Sequence, residues 1–377
     1  MDDFQTVRAS QKNKSCKNCA AELNYKAGST TLHCLYCGHL EQIEAQEHQS
    51  ILELNLEKYL SEMGENAHTI ELSMMNCKAC GADQHVEQHL QTLNCSFCGS
   101  ILEAQRIRQE EWIEPGAILP FQLEKNKALE LFQAWSQGLW LAPNNFKKAH
   151  LNPAHLQGVY LPFWTFDAQM HVRYSGQRGQ YYYKNKRVAV KVNGQTQYRN
   201  RQVRKVRWTP CSGEVSGFVD DTLISATANK NKRQLSDKVC HWTLEACQPF
   251  DAKYLAGYTT EMYTLPLKKG HIEAKKEADV IAKNWAKNDI GGDTQRIQSL
   301  TKTLTKETFK HILLPMFMSH YNYEGKVYSL YINGQTGEID AERPYSVWKI
   351  AFICLVVLLI VCLIYYLNQK PVGYESV

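Results

Sequence analysis

Eight of the thirteen cysteines fall into four Cys-x-x-Cys pairs within the first hundred residues: Cys16/Cys19, Cys34/Cys37, Cys77/Cys80 and Cys95/Cys98. In each half 14 residues separate one pair from the next, and the second set stands 61 residues beyond the first. The neighbours repeat as well: Thr31-Leu32-His33-Cys34-Leu35-Tyr36-Cys37-Gly38 answers to Thr92-Leu93-Asn94-Cys95-Ser96-Phe97-Cys98-Gly99. Thiolates in this spacing are zinc chemistry. One Cys-x-x-Cys turn supplies two ligands and a second turn closes the tetrahedron. The pattern predicts two structural Zn2+ ions, one held by Cys16, Cys19, Cys34 and Cys37, the other by Cys77, Cys80, Cys95 and Cys98. A closed shell leaves no coordination position for a substrate. The competing chemistry is thiol–disulfide exchange, which uses the same dipeptide spacing. Gly38, Gly81 and Gly99 follow their knuckles, where the chain must turn tightly, and Ala20 is the one departure. His33, His39, His85 and His89 read as surface residues rather than ligands.

Two zinc ribbons are therefore expected, over residues 1–45 and 71–105. A segment of this size buries too little apolar surface to fold alone, and zinc contributes roughly 10 to 16 kcal/mol of apparent binding energy. Residues 46–70 mix Ile51, Leu52, Leu54, Leu56, Tyr59, Leu60 and Met63 with many Glu and Gln, which predicts a helical spacer between the ribbons. At the other end Ile350 to Leu367 carries no charge, enough helix at about 1.5 Å per residue to cross a hydrocarbon core of about 30 Å. Trp348, Tyr365 and Tyr366 flank it as an aromatic belt, with Lys349 and Lys370 outside. A transmembrane helix over 347–369 with a short tail at 370–377 is the reading, Cys354 and Cys362 being small apolar fillers. Met1 to Ser15 has no apolar signal core, and metal thiolates suit a reducing compartment, so the bulk of the chain is expected on the cytoplasmic face of the cell membrane.

The remaining 115–345 reads as an α+β body. A helix is predicted from Lys125 to Leu141 with Ala128, Leu131, Phe132, Trp135 and Leu139 on one face. A strand-rich region to about Thr227 follows, with a hairpin at Asn193-Gly194. A second helix over Ile272 to Lys287 precedes Leu313-Leu314-Pro315 and further strands. The order helix, Leu-Pro-aromatic, strands thus occurs twice, which suggests two related halves. The most polarised stretch is Ala168 to Gly213, with 11 Lys or Arg, no Asp or Glu, and interleaved tyrosines. Such a stretch serves single-stranded nucleic acid, anionic headgroups, or simply a solvated pair of strands neutralised by acids such as Asp220 and Asp221.

Catalytic constellations are scarce. There is no Gly-x-x-x-x-Gly-Lys-[Ser/Thr], His-Glu-x-x-His or Gly-x-Ser-x-Gly. Cys211, Cys240-His241 and Cys247 match no standard site, and Asp289-Ile290-Gly291-Gly292-Asp293 reads as a turn closing the second helix.

The ribbons together with Gly158-Val159-Tyr160-Leu161-Pro162-Phe163-Trp164, Phe218-Val219-Asp220-Asp221, Tyr254-Leu255-Ala256-Gly257-Tyr258, Asn333-Gly334-Gln335-Thr336-Gly337-Glu338 and Arg343-Pro344-Tyr345-Ser346 resemble bacterial membrane-anchored TFIIB-type zinc-ribbon proteins, often labelled primosomal-helicase-like. The resemblance implies protein partners of the flotillin-like or phage-shock type and a scaffolding role. The expectation is a non-enzymatic, zinc-binding adaptor with no small-molecule substrate. Its runner-up is a membrane-tethered nucleic-acid-binding protein using the ribbons and residues 168–213.

Overall fold

The computed structural model describes residues 15–44, 51, 53–62, 69–72, 74–76, 83–85, 92–94, 101–103, 108–111, 113–147, 156–192, 195–227, 241–324 and 326–369. It opens on a three-stranded antiparallel sheet of β1 (Leu23–Tyr25), β2 (Thr31–Cys34) and β3 (Leu40–Gln42). Leu23, Tyr25, Leu32 and Cys34 turn inward at the two-residue period of a strand. They do not close on themselves, but join Ile118, Phe121, Tyr160 and Phe317 in one buried cluster. The backbone is tied down too, Tyr25 N–H donating to Ala256 O at 2.9 Å and Gly28 N–H to Phe121 O at 2.8 Å. The first cysteine module is thus seated on the body, which supplies the apolar surface that thirty residues lack.

The described part of the expected helical spacer over 46–70 holds one short helix, preceded by a short strand, and both dock on the body. β4 (Leu54–Asn55) pairs with Thr308 and Phe309, and α1 (Leu56–Glu62) is only seven residues long. Asn55 Oδ1 caps it, accepting from Lys58 N–H at 2.8 Å. Leu56 is buried among Trp164, Phe309 and Ile113, with Leu54, Tyr59 and Leu60 packed alongside. Four apolar side chains in seven residues have too much surface to stay solvated in a free spacer, and docking removes it from water.

Beyond it lie β5 (Thr69–Leu72), β6 (Met74–Asn76), β7 (Asp83–His85), β8 (Thr92–Asn94), β9 (Ile101–Glu103) and β10 (Arg108–Glu111). They pair as β6 with β7, β8 with β9 and β5 with β10, all antiparallel. The hairpin ends repeat the first module in register. Ser15 faces Glu22 and His33 faces Leu40 there, while Asn76 faces Asp83 and Asn94 faces Ile101 here, every position displaced by 61.

The body is a nine-stranded sheet whose central path runs β13–β12–β16–β11–β14. Its members are β11 (Ala117–Ile118), β12 (Gln157–Val192), β13 (Gln195–Ser225), β14 (Gln248–Pro249), β15 (Thr259–Thr260), β16 (Thr294–Tyr323), β17 (Lys326–Asn333), β18 (Ile339–Ala341) and the docked β4. The hairpin between β12 and β13 closes on Val192 opposite Gln195, as the Asn193-Gly194 signal predicts; the two turn residues lie outside the described ones. α2 (Lys125–Gly138) stops before the expected Leu141 and is followed by the short α3 (Asn144–Lys147). α2 is followed by the β12–β13 hairpin and α4 (Leu267–Ile290) by the β16–β17 hairpin. The two Leu-Pro steps meet in the sheet, with Leu161 directly opposite Leu314.

α4 begins five residues before the expected Ile272, directly after Pro266, and lies along β12 and β13. Its buried face is Gly270, Ala274, Ala278, Ala282, Ala286 and Ile290, one residue per turn. Small side chains let the helix sit close on the strands. A Cβ at Gly270 would come within 2.8 Å of Trp164 Cδ1. At about 1.5 Å per residue α4 is roughly 36 Å long, and the strands beneath follow it from Trp164 to Tyr174. The fifth helix among the described residues is α5 (Val347–Gln369). It is long and apolar enough over Val347–Tyr366 to cross a membrane, with none of that stretch buried against the body.

Candidate metal centre

The two knuckles of the first module are built alike. Ala20 N–H donates to Cys16 O at 2.8 Å and Gly38 N–H to Cys34 O at 2.9 Å; Cys16 N–H reaches Ala21 O and Cys34 N–H reaches His39 O. The residue after each second cysteine is left-handed, Gly38 at φ 73° and Ala20 at φ 60°. For alanine that conformation costs about 1 to 2 kcal/mol, so the fold holds Ala20 there against its preference. The result brings Cys16, Cys19, Cys34 and Cys37 together with all four Sγ atoms within 4.8 Å of one another. Cys16 and Cys37 sulfurs are 3.5 Å apart, as are Cys19 and Cys34.

A tetrahedral zinc with Zn–S bonds of about 2.3 Å places sulfurs about 3.8 Å apart, whereas a disulfide needs about 2.05 Å. All four are free thiols at the wider spacing, so the donor set fits zinc. Crowded thiols without a cation divide their protons. The His39 N–H and then Cys19 hold Cys37 down at about 6. Cys19 rises to about 12: the Ala21 N–H opposes the rise, and Cys37, burial and the remaining thiols drive it. Four ionised sulfurs at this separation require a positive charge among them. Asn18 N–H faces Cys16 Sγ at 3.4 Å, a backbone dipole directed at one of those sulfurs. His33 is not part of the cluster; its Nδ1 lies 3.0 Å from Asn24 O.

Cys77, Cys80, Cys95 and Cys98 lie outside the described residues. The strands that flank them, β6 with β7 and β8 with β9, enclose six residues per pair, as their counterparts do in the first module.

The other clustered groups serve the architecture. Asp167, Asp220 and Asp221 converge, but Lys310 already pairs with two of them, Asp167 and Asp221. Its Nζ lies 2.9 Å from Asp221 Oδ1, 3.2 Å from Glu53 Oε1 and 3.7 Å from Asp167 Oδ2. Burial works against its charge, yet the carboxylates hold its pKa above the ordinary lysine value. Burial pushes Asp167 up. Asp221 therefore does not neutralise the basic segment; it anchors β4 through Lys310. Asp289 accepts from Tyr174 Oη, while Asp293 accepts from Tyr181 N–H at 2.6 Å, so these acids act separately. Cys211 packs against Tyr174, Ala286 and Ile290. Burial pushes Cys247 up to about 12, leaving it an inert thiol, and Cys240 lies outside the described residues. The Lys310 network joins groups spread from Glu53 to Lys310, and no local spacing announces it.

The basic segment is a two-stranded ribbon. β12 pairs with β16 only as far as Gly179 opposite Thr294; from Gln180 onward, among the described residues, it pairs with β13 alone for on the order of 40 Å. The register sorts the side chains. Lys184, Lys186, Arg199, Arg201, Lys205 and Arg207 share one face; Arg187, Arg204, Tyr181, Tyr183 and Tyr198 share the other. The guanidinium of Arg204 sits over the Tyr181 ring at 4.3 Å.

One curated relative is 25% identical over 339 residues, 89% of this chain and 91% of its own length: uncharacterized protein YdjG of Bacillus subtilis strain 168. A likeness of that span takes in most of the body. No family model and no solved structure matches the chain.

Proposed function

We propose that this chain is a non-enzymatic, zinc-binding adaptor anchored in the cell membrane by α5, with its cysteine modules and body on the cytoplasmic side. The observation that carries the reading is the Cys16/Cys19/Cys34/Cys37 cluster joined to the same packed body from which the apolar α5 departs. Zinc there neutralises the thiolates and cross-links the two knuckles. With all four ligands from protein the site stabilises rather than reacts, and the Cys77/Cys80/Cys95/Cys98 set is read as its equivalent through the shared hairpin register. The Leu161/Leu314 pairing supports a body of two related halves. By resemblance its partners are proteins of membrane-stress assemblies, flotillin-like or phage-shock-type.

The test is cross-linked capture of the intact tagged protein from bacterial membranes, with zinc measured on the same material. Two zinc ions per chain, a specific co-purifying protein, and a tag protected from protease in spheroplasts are expected. Recovery from the soluble fraction, or a metal content near zero with disulfides in its place, refutes the reading.

A second reading is favoured by one observation, the gathering of six cations on one face of the β12–β13 ribbon. The two-stranded ribbon matches the width that a major groove admits, and phosphates are its natural complement. Salt-sensitive binding of the intact chain to DNA or RNA, lost on reversing Arg199, Arg201 and Lys205 to Glu, would establish it over the adaptor reading. Retention that is insensitive to those reversals discards it.

A further inference from the structure

The junction between body and apolar helix is locked. Ser346 N–H donates to Leu141 O at 2.9 Å immediately before α5 begins. One turn in, the Lys349 ammonium donates to Trp140 O at 3.1 Å, Ala142 O at 2.8 Å and Asn144 Oδ1 at 2.9 Å. Three donors meet three acceptors, so this cation is fully engaged by the α2–α3 connection. That connection is itself held by a small core of Leu139, Ala142 and Phe146 with Trp135 against it. Trp140 therefore has a fixed height relative to the first turn of α5.

Trp140 is 65% exposed, beside a helix start where Trp348 is 87% and Tyr345 53% exposed. The uncharged run begins at Ile350, so Lys349 marks the edge of the hydrocarbon. The headgroup zone beyond that edge is about 5 to 8 Å deep per leaflet. The Trp140 carbonyl lies 3.1 Å from Lys349 Nζ, which puts the Trp140 backbone at the height of that ammonium. Indole is the side chain best suited to that zone, having a large apolar ring and one N–H donor.

We infer that the α2–α3 connection is a second membrane contact, in which Trp140 enters the lipid headgroup region beside Trp348 and fixes the attitude of the body on the bilayer. Lys349 is the positioning residue, holding the connection to the span. The inference rests on reading α5 as a bilayer span.

The experiment uses the full chain in lipid nanodiscs, labelled with 5-fluorotryptophan, with Trp140→Phe and Trp348→Phe serving to assign their fluorine resonances. A nitroxide-headgroup lipid is then added. Both the Trp140 and Trp348 lines should lose several-fold in intensity while that of buried Trp164 stays sharp. In Lys349→Gln the Trp140 loss should diminish while the Trp348 loss remains. A broadened Trp348 with an unchanged Trp140 overturns the proposal and leaves the span intact. Both lines unchanged removes the span and the proposal with it. Trp140 broadening that follows protein concentration without the nitroxide assigns the surface to a second copy and also overturns it.

Discussion

His311 is a residue whose burial has a measurable consequence. It is wholly enclosed, its Nδ1 is 2.8 Å from Ile113 O, and burial lowers its pKa to about 4 against an ordinary value near 6.5. The unfolded chain binds this proton more readily than the folded one. The associated stability is complete above pH 6.5 and drains away as pH falls from there towards 4, by up to about 3 kcal/mol. Denaturant unfolding of the intact chain in detergent should therefore weaken less between pH 6.5 and 4.5 in His311→Gln than in the wild type; equal pH slopes would contradict the assignment. Lys310 is the opposite case, a half-buried cation held by buried Asp167 and the more exposed Asp221 and Glu53. Lys310→Met leaves Asp167, Asp221 and Glu53 facing one another and, with Glu53 and Asp221 partly screened by solvent, should cost about 1 to 3 kcal/mol in the same measurement. Lys310→Met with Glu53→Gln should recover part of it, and a silent single variant would remove the network from the stability account.

Among the elements, α4 shows how sequence periodicity and packing part company. Its contact face was legible at Ala274 and Ala278, and Ile281 and Trp285 pack on the same cluster, Trp285 over Gly217. A glycine at the contact face carries no periodic hydrophobic signal, yet Gly270 decides how closely helix and strand approach. Gly270→Leu drives a side chain into Trp164 and should lower stability by about 1 to 3 kcal/mol, seen as a fall in denaturation midpoint with Trp164 emission shifted to the red. The Asn193-Gly194 hairpin and the apolar C-terminal helix were readable because each is decided locally, by turn chemistry or by length. The fate of 46–70 was not: whether Leu54 and Leu56 stay solvated or dock depends on β16, some 250 residues away. The convergence of Cys16, Cys19, Cys34 and Cys37 was legible from spacing, whereas the seat of the first module on Phe121, Tyr160 and Phe317 was not, because that surface exists only once the sheet is built.

For the whole molecule, the first cysteine module and the body share one buried cluster, so metal binding and body stability should be coupled. Stripping zinc, or making Cys16→Ser with Cys34→Ser, should lower the unfolding temperature of the body as well as loosen the first module, since the two share one buried cluster. Thermal unfolding followed by a probe in the body, such as Trp164 emission, distinguishes this from an independent appendage, whose loss would leave the body transition unmoved. The shared cluster also has a temporal side. Glu53 and Lys310 are 257 residues apart in the chain, and β4 has no partner strand until β16 has been made. At about 5 to 20 residues per second the ribosome delivers Lys310 on the order of 10 to 50 s after Glu53. Throughout that interval Leu23, Tyr25 and Leu32 have no body to lie on. A cation captured early by Cys16, Cys19, Cys34 and Cys37 would give the nascent module a provisional centre, holding its strands in register until the surface that will receive them has been synthesised.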